Sequence, residues 1–123
     1  MTAHTLVVDD DEDHAWMLVA GLDDDGWKAT AATGVREALA KLRADGYTLV
    51  VSDIAMNDGD GFDLLRAVRA LPHPVPVILM SSFGTSATSR EAIGAGAFAY
   101  LAKPFPLSEL LALVSRAHSL AER

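Results

Sequence analysis

The sequence contains no cysteine and no long apolar run. Without cysteine the chain cannot form a disulfide or a thiolate metal site, so any bound metal must have oxygen or imidazole ligands. No apolar run approaches the roughly 20 residues that a membrane-spanning helix needs, and the N-terminus lacks the basic and then apolar pattern of a signal peptide. These absences predict a soluble, cytoplasmic protein without a membrane partner.

Basic residues are also scarce, because 10 lysines and arginines stand against 17 aspartates and glutamates and give a net charge of −7. This charge disfavours direct binding to the nucleic-acid backbone, so we expect any DNA-directed output to lie in another domain or chain. The acidic residues are concentrated in the first half, with 14 of the 17 between Asp9 and Asp63. The length of 123 residues predicts a single domain over residues 1–123.

Five short apolar segments alternate with segments of helical periodicity, a pattern typical of a parallel sheet covered by helices. We predict strands at Thr5–Val8, Lys28–Ala32, Leu49–Ser52, Val77–Ser81 and Phe98–Leu101. The first, third and fourth are apolar without alternation, which indicates strands that are buried on both faces. The fourth predicted helix, Thr85–Ala95, is poor in apolar residues, so we expect it to be the most mobile helix.

The spacing of apolar residues predicts which faces of the first and last helices point inward. For the first helix, the inward residues are predicted to be His14, Met17, Leu18, Gly21 and Leu22. For the last helix, they are predicted to be Leu107, Leu110, Leu111 and Val114. Trp16 and Val19 would then lie on the outer face of the first helix. We expect His14 to be half-buried and hydrogen-bonded, rather than a phosphohistidine or a metal ligand.

Charged and hydroxyl side chains follow the predicted strands at their carboxyl ends, where an open parallel sheet binds its ligands. These residues are Asp9, Asp10, Asp53, Ser81 and Lys103. Carboxylates are suitable ligands for Mg²⁺ or Mn²⁺, so we predict that Asp10 and Asp53 bind the metal directly and that Asp9 acts through water. Lys103 is the only lysine after Lys41, and it would supply the local countercharge.

The same residues have the chemistry that phosphoryl transfer needs. A carboxylate can attack phosphorus to form an aspartyl phosphate, and the charge on the transferring oxygens must be met by cations and hydroxyl donors. We predict that Asp53 is the nucleophile and that Ser81 and Lys103 each bind one phosphoryl oxygen. Since no general acid for turnover is evident, the sequence favours a switch over a multi-turnover enzyme.

Four sequence segments resemble the receiver domains of two-component response regulators, in that family's order and spacing. They are Val7–Asp10, Ser52–Met56 with Asp60-Gly61, Val77–Ser82 and Gly94–Phe105. The resemblance implies a flavodoxin-like (βα)5 fold of the α/β class, a doubly wound sandwich whose five parallel strands lie in the order 2-1-3-4-5. It also implies a phosphoprotein of signal transduction. Its partners would be a sensor histidine kinase or histidine phosphotransfer protein, which donates the phosphoryl group, and a downstream output domain or protein.

The resemblance implies a role for each residue of the site. Asp53 would be the phosphorylation site, and Lys103 would bind the phosphoryl group. The Mg²⁺ ligands would be Asp9, Asp10, Asp53 and the backbone carbonyl of Ala55. The switch residues would be Ser81 and Tyr100, which would change the surface formed by helix 4, strand 5 and helix 5.

The surface beside the site is expected to bind the phosphodonor. The candidate docking residues, on the first helix and just after Lys103, are Trp16, Val19, Pro104 and Phe105. The alternative for Trp16 is a singly exposed side chain that lies over its neighbours. The Lys103–Pro104 bond is expected to be cis, as is usual in the family.

Three positions depart from the family pattern. His14 stands where the first helix usually buries an aliphatic residue. Asn57 stands where the family commonly has proline, so we expect the loop that carries Ala55 to be more mobile and to bind Mg²⁺ more weakly. Ala99 stands where the winged-helix regulators carry an acidic residue, which puts their salt-bridged dimer in doubt.

Three other functions match parts of the sequence. The segment 58–61 suggests a calcium loop. An EF-hand register would put Met56 and Ala67 at the first and last ligand positions, and neither side chain can coordinate calcium, so the match fails. A phosphatase with an aspartate nucleophile would need its acid at Ala55. A degenerate receiver that acts as a phosphorylation-independent protein-interaction module stays open as the alternative.

Overall fold

The predicted strands form one parallel sheet in the computed structural model, which describes residues 2–82 and 86–121. The strands are β1 (His4–Val8), β2 (Lys28–Ala32), β3 (Leu49–Asp53), β4 (Val77–Ser81) and β5 (Ala99–Ala102). They lie in the order β2-β1-β3-β4-β5, so the predicted order 2-1-3-4-5 is confirmed. The order reverses between β1 and β3, and the carboxyl ends of these strands are therefore the expected ligand-binding edge.

Helices cover both faces of the sheet. They are α1 (Glu12–Asp24), α2 (Val35–Ala44), α3 (Gly61–Arg69), α4 (Ser86–Gly94) and α5 (Leu107–Ala121). The predicted start of the fourth helix, Thr85, lies outside the described residues. None of these helices, as far as the chain is described, is long and apolar enough to span a membrane.

Two apolar clusters hold the helices against the sheet, because successive strand residues point to opposite faces. Leu6 and Val8 belong to the cluster that also contains residues of α2, α3 and α4, whereas Val7 belongs to the cluster with α1 and α5. Every residue of β3 and β4 is buried, which explains why these strands show no polar alternation. The register pairs Val8 with Ser52 and Asp53 with Met80, so the carboxyl ends of β1, β3 and β4 meet at one edge.

The inward face of α1 differs from the prediction. Its buried residues are Ala15, Leu18, Val19 and Leu22. Met17, which was predicted to face inward, is 59% exposed. The two stripes have the same i, i+3, i+4, i+7 spacing and start one residue apart, so periodicity alone could not choose between them. The observed face packs Val19 against the sheet and leaves His14 beside the end of β1.

The loop between β3 and α3 begins and ends in paired backbone. Ala55–Met56 pairs with Gly59–Asp60 in a short antiparallel ladder. Asp60 is also the N-cap of α3, where it forms a reciprocal capping box with Asp63. The loop that carries Ala55 is therefore anchored at both of its ends.

Asp58 anchors the middle of this loop to α2. The N-cap of α2 is Gly34, which has no side chain to cap the helix. The Asp58 carboxylate takes that place, since it accepts the backbone N–H groups of Arg36 at 3.1 Å and Val35 at 2.8 Å. These two hydrogen bonds lower the pKa of Asp58. The contact opposes the loop mobility that Asn57 by itself would predict.

Gly61 is required where α3 starts, because its backbone lies against the end of β3. A Cβ atom at this position would stand 2.6 Å from the carbonyl oxygen of Asp53. We expect Gly61→Ala to lower the free energy of unfolding by about 1–3 kcal/mol, as overpacking against rigid backbone does. Urea unfolding measures the change. The control is Gly94→Ala in α4, where a Cβ would meet nothing within 4 Å. Equal stability of the two variants would contradict the steric explanation.

Candidate functional site

Asp9 follows β1 directly, and its side chain is fully buried. Its Oδ1 accepts the backbone N–H of Asp11 at 2.9 Å. Its Oδ2 accepts Nδ1 of His14 at 2.6 Å and Nζ of Lys103 at 3.0 Å. Because an ionised carboxylate can only accept, His14 must donate through its Nδ1–H. Three donors therefore hold this one carboxylate.

Lys103 joins the ends of β1 and β3. Its Nζ donates to Oδ2 of Asp53 at 2.9 Å as well as to Oδ2 of Asp9 at 3.0 Å. Its backbone N–H donates to the carbonyl of Ser81, which continues the pairing of β4 with β5. The Lys103–Pro104 bond is cis, as predicted. The fold thus brings together the carboxylates and the lysine that lie far apart in the sequence.

Burial and hydrogen bonding act in opposite directions on these charges. Burial alone would raise the pKa of Asp9, but the hydrogen bonds that it accepts, the one from His14 foremost, hold the pKa below its ordinary value. At Asp53 burial prevails and raises the pKa, and the charge of Asp9 adds to the rise while Lys103 opposes it. Burial would lower the pKa of Lys103, yet its two carboxylate partners raise it. Lys103 therefore keeps its positive charge between the two carboxylates.

The donor set beside Lys103 suits a divalent cation. Asp9, Asp10 and Asp53 each place one carboxylate oxygen within 4.8 Å of the others. These three carboxylates and the one ammonium leave a formal charge of −2. Mg²⁺ and Mn²⁺ prefer such oxygen ligands. The Ala55 backbone lies beside the cluster, because its N–H donates to Oδ1 of Asp53 at 3.4 Å.

Ser81 lies on β4, which is next to β3, and Tyr100 lies on β5, one strand farther out. Ser81 ends β4 and is 7% exposed. Tyr100 is half-buried in β5 and packs against the apolar cluster that includes α3 and α4. Its hydroxyl group is buried and has no hydrogen-bond partner among the residues that the structure describes. Rotation of the Tyr100 side chain would therefore break no hydrogen bond to those residues.

His14 is half-buried and hydrogen-bonded, which confirms that part of the prediction, and 20% of its side chain is exposed. Its contact with Asp9 was not predicted. The ring also meets Phe105 edge to face, with 6.2 Å between ring centroids and 72° between planes. The position of His14 in the first turn of a helix that follows Asp9 is the sequence signal that could have indicated the contact.

A groove of about 510 Å³ lies beside the site and contains two of the four candidate docking residues. Its lining residues are Asp11, His14, Met17, Ser82, Lys103, Pro104 and Phe105. Trp16 lies on the outside of α1 and is 64% exposed. Val19 is only 6% exposed and packs against the sheet, so its predicted place on the outer surface is wrong.

A comparison with protein-family models finds that residues 5–115 match the response regulator receiver domain. Among curated proteins, the transcriptional regulatory protein ZraR of Escherichia coli is 36% identical over 112 residues, 91% of this chain and 25% of ZraR. An uncharacterized 14.6 kDa protein from the sodA1 3′ region of Leptolyngbya boryana is 38% identical over 113 residues, 90% of this chain and 86% of that protein. The chain thus spans about a quarter of the length of ZraR.

Solved structures are similar over nearly the whole chain. The receiver domain of the Francisella response regulator 1452 has a TM-score of 0.92 and 29% identity, with 98% of this chain and 99% of that chain covered. The beryllofluoride-activated NtrC4 receiver domain dimer has a TM-score of 0.86 and 32% identity, with 93% of this chain and 94% of that chain covered. The flavodoxin-like arrangement of this chain is therefore one that these domains share.

Proposed function

Since this chain belongs to the response regulator receiver domain family of two-component systems, we propose that it is a switch that accepts a phosphoryl group on Asp53. The observation that carries the proposal is the position of Lys103, whose Nζ lies 2.9 Å from Oδ2 of Asp53 and 3.0 Å from Oδ2 of Asp9. The arrangement supports the proposal, because a carboxylate that could attack phosphorus lies beside a cation that could meet the charge of the transferring group. Residues 1–123 would form a single receiver domain.

The proposed reaction is a displacement at phosphorus. A carboxylate oxygen of Asp53 forms the new P–O bond while the P–N bond of a donor phosphohistidine breaks. The donor imidazole leaves with the electron pair of that bond. Lys103 and the Ser81 hydroxyl would each donate to a phosphoryl oxygen and so stabilise the charge that spreads over the group. The chain would assist its own phosphorylation and its slow dephosphorylation without being a multi-turnover enzyme.

Mg²⁺, or Mn²⁺ in its place, would be held by the acidic cluster, which consists of Asp9, Asp10 and Asp53. Asp10 and Asp53 would bind it directly, Asp9 would act through water, and the Ala55 carbonyl would complete the protein ligands. The bound cation would neutralise charge on the incoming phosphoryl oxygens. The formal charge of −2 at the cluster supports this assignment.

The proposed output is a change at the surface formed by α4, β5 and α5. The Ser81 hydroxyl would move onto the phosphoryl group, and Tyr100 would turn into the space that it leaves. The buried Tyr100 hydroxyl supports this role, because within the described part of the chain it has no hydrogen bond to give up. A downstream output domain or protein would read the new surface, without nucleic-acid contact by these residues.

The phosphodonor would be a sensor histidine kinase or a histidine phosphotransfer protein, met in the cytoplasm. It would dock on the groove beside the site. Trp16, Pro104 and Phe105 remain the candidate contacts, since Trp16 and Pro104 are exposed and Phe105 is half-buried.

Incubation with a small-molecule phosphodonor such as acetyl phosphate and Mg²⁺ tests the proposal. We expect intact-mass spectrometry to find one phosphoryl adduct that is stable in acid and lost in base. The adduct should be absent in Asp53→Asn and present in the control Asp45→Asn, which changes an exposed aspartate away from the site. A degenerate receiver predicts no adduct on the unaltered protein, and that result would overturn the proposal.

A further inference from the structure

His14, in the first turn of α1, forms a hydrogen bond with the Asp9 carboxylate. Oδ2 of Asp9 accepts Nδ1–H of His14 at 2.6 Å, and Oδ1 accepts the backbone N–H of Asp11 at 2.9 Å. Asp11 in turn caps the helix, since its Oδ1 accepts the backbone N–H of His14 at 3.2 Å. Three hydrogen bonds therefore close a ring between Asp9, Asp11 and His14. Phe105 packs edge to face on the His14 ring and limits its orientation.

Asp9 has a second donor on the same oxygen, and that donor is shared. Lys103 lies 3.0 Å from Oδ2 of Asp9 and 2.9 Å from Oδ2 of Asp53. If Lys103 turned to a phosphoryl oxygen, Asp9 would lose this donor while its side chain stays fully buried. A buried carboxylate that loses its partners is strongly destabilised. The hydrogen bond from His14 would remain, because it does not depend on Lys103.

We propose that His14 is a positioning residue of this site, which holds the Asp9 carboxylate so that Lys103 can pass from Asp9 and Asp53 to the phosphoryl group. The proposal rests on the proposed function and goes beyond it. It assigns a role to a residue outside the carboxylates, the hydroxyl and the lysine. His14 would touch neither the phosphoryl group nor the metal, and it would act through Asp9 alone.

Three substitutions of His14 distinguish the effect of its hydrogen bond from the effect of its side-chain size. His14→Leu removes the donor. His14→Asn restores a donor near the position of Nδ1, because the Asn Nδ2 is likewise attached to Cγ. His14→Gln has the same amide one bond farther from the backbone. The matched control is His73→Leu, which makes the same change at an exposed site before β4, at the opposite end of the sheet.

The first readout is the rate of Asp53 phosphorylation by acetyl phosphate at saturating Mg²⁺. We expect His14→Leu and His14→Gln to be slower by about tenfold, the lower end of the range for residues that support a metal ligand. His14→Asn should stay within about threefold of the unaltered protein, and His73→Leu should match it. Equal rates for the Asn and Gln variants would overturn the proposal, even if the Leu variant failed to fold.

The second readout needs neither metal nor phosphodonor. Urea unfolding of metal-free protein is measured for His14→Leu, Lys103→Met and the double variant. Because both residues donate to one oxygen, each single variant leaves Asp9 one of these donors and the double variant leaves neither. We therefore expect the double variant to lose more stability than the two single losses added together. Strict additivity would contradict the shared role.

The two readouts also separate this inference from the proposed function. If the unaltered protein forms no adduct, the proposed function fails and the unfolding cycle still decides whether His14 and Lys103 share Asp9. If the adduct forms at the same rate in His14→Leu, the proposed function stands and the role of His14 is refuted.

Discussion

Replacement of Lys103 by methionine is expected to slow phosphorylation of Asp53 by about 10²–10³-fold, the loss that follows removal of one preorganised donor to a transition state. Lys103 is 15% exposed at its side chain and contacts both Asp9 and Asp53. Methionine keeps an unbranched apolar stem, one atom shorter than lysine, but has no charge to place on the phosphoryl oxygens. The measurement is the rate of adduct formation with acetyl phosphate at saturating Mg²⁺.

Two further lysine variants sharpen this test. Lys103→Arg keeps the charge, but its planar fork has a different shape from an ammonium, so we expect it to recover only part of the rate. Lys28→Met removes an exposed lysine at the start of β2 and should phosphorylate like the unaltered protein. If Lys103→Met and Lys28→Met phosphorylated at the same rate, Lys103 would have no part in the transfer.

The second large effect is expected from the acidic cluster. We expect Asp10→Asn to weaken Mg²⁺ binding by about 100-fold or more, because the loss of a direct ligand should cost at least as much as the loss of a residue that supports one. The reason is that Asp10 is one of three carboxylates whose oxygens lie within 4.8 Å of each other. Isothermal titration calorimetry gives the dissociation constant without any need for phosphorylation. Removal of the metal with a chelator should then abolish adduct formation on the unaltered protein.

Asp13→Asn is the matched control for Asp10→Asn. It changes a residue of the same acidic run, Asp9–Asp13, that lies in the first turn of α1 and outside the group of three carboxylates. Asp13 is exposed, and its charge stabilises the helix N-terminus. Because water and salt weaken the interactions of an exposed charge, the substitution should leave the Mg²⁺ dissociation constant within about threefold. If the two substitutions weakened Mg²⁺ binding equally, the metal would be attracted by the overall negative charge of this region and not by a defined site.

The strands were predictable because burial on both faces leaves a simple sequence signal. β3 and β4 are buried at every residue and are apolar without alternation until their polar carboxyl ends. The last strand was predicted one residue early, at Phe98–Leu101, because its ends are set by hydrogen bonds to β4 that periodicity does not report. The strand order came from the family resemblance, and the structure confirms it.

Helix faces were harder to predict where two apolar stripes compete. In α1 the stripe with Val19 prevailed over the stripe with Met17. In α5 Leu107 was predicted to face inward but is 38% exposed, at the border with α1. A Cβ at Gly21 would stand 2.5 Å from Cδ2 of Leu107, so these two residues pack where the helices meet. Such contacts depend on how two helices cross, which a single helix pattern does not contain.

The strand-end residues of the site were predictable from topology, and their hydrogen-bond partners were not. Asp53 and Lys103 meet because parallel strands end at one edge of a sheet. The His14–Asp9 contact and the Asp58 contact with α2 depend on side-chain rotamers and on loop paths. Each of these polar residues had several possible partners in the sequence, and only the folded chain selects one.

Borohydride reduction measures directly which residue carries the phosphoryl group. Reduction converts an aspartyl phosphate to homoserine, which peptide mapping by mass spectrometry locates in the sequence. After incubation with acetyl phosphate and Mg²⁺, we expect the conversion at position 53 alone. Conversion at another aspartate, or a phosphoryl group on His14 with none at position 53, would contradict the assignment of Asp53 as the phosphoacceptor.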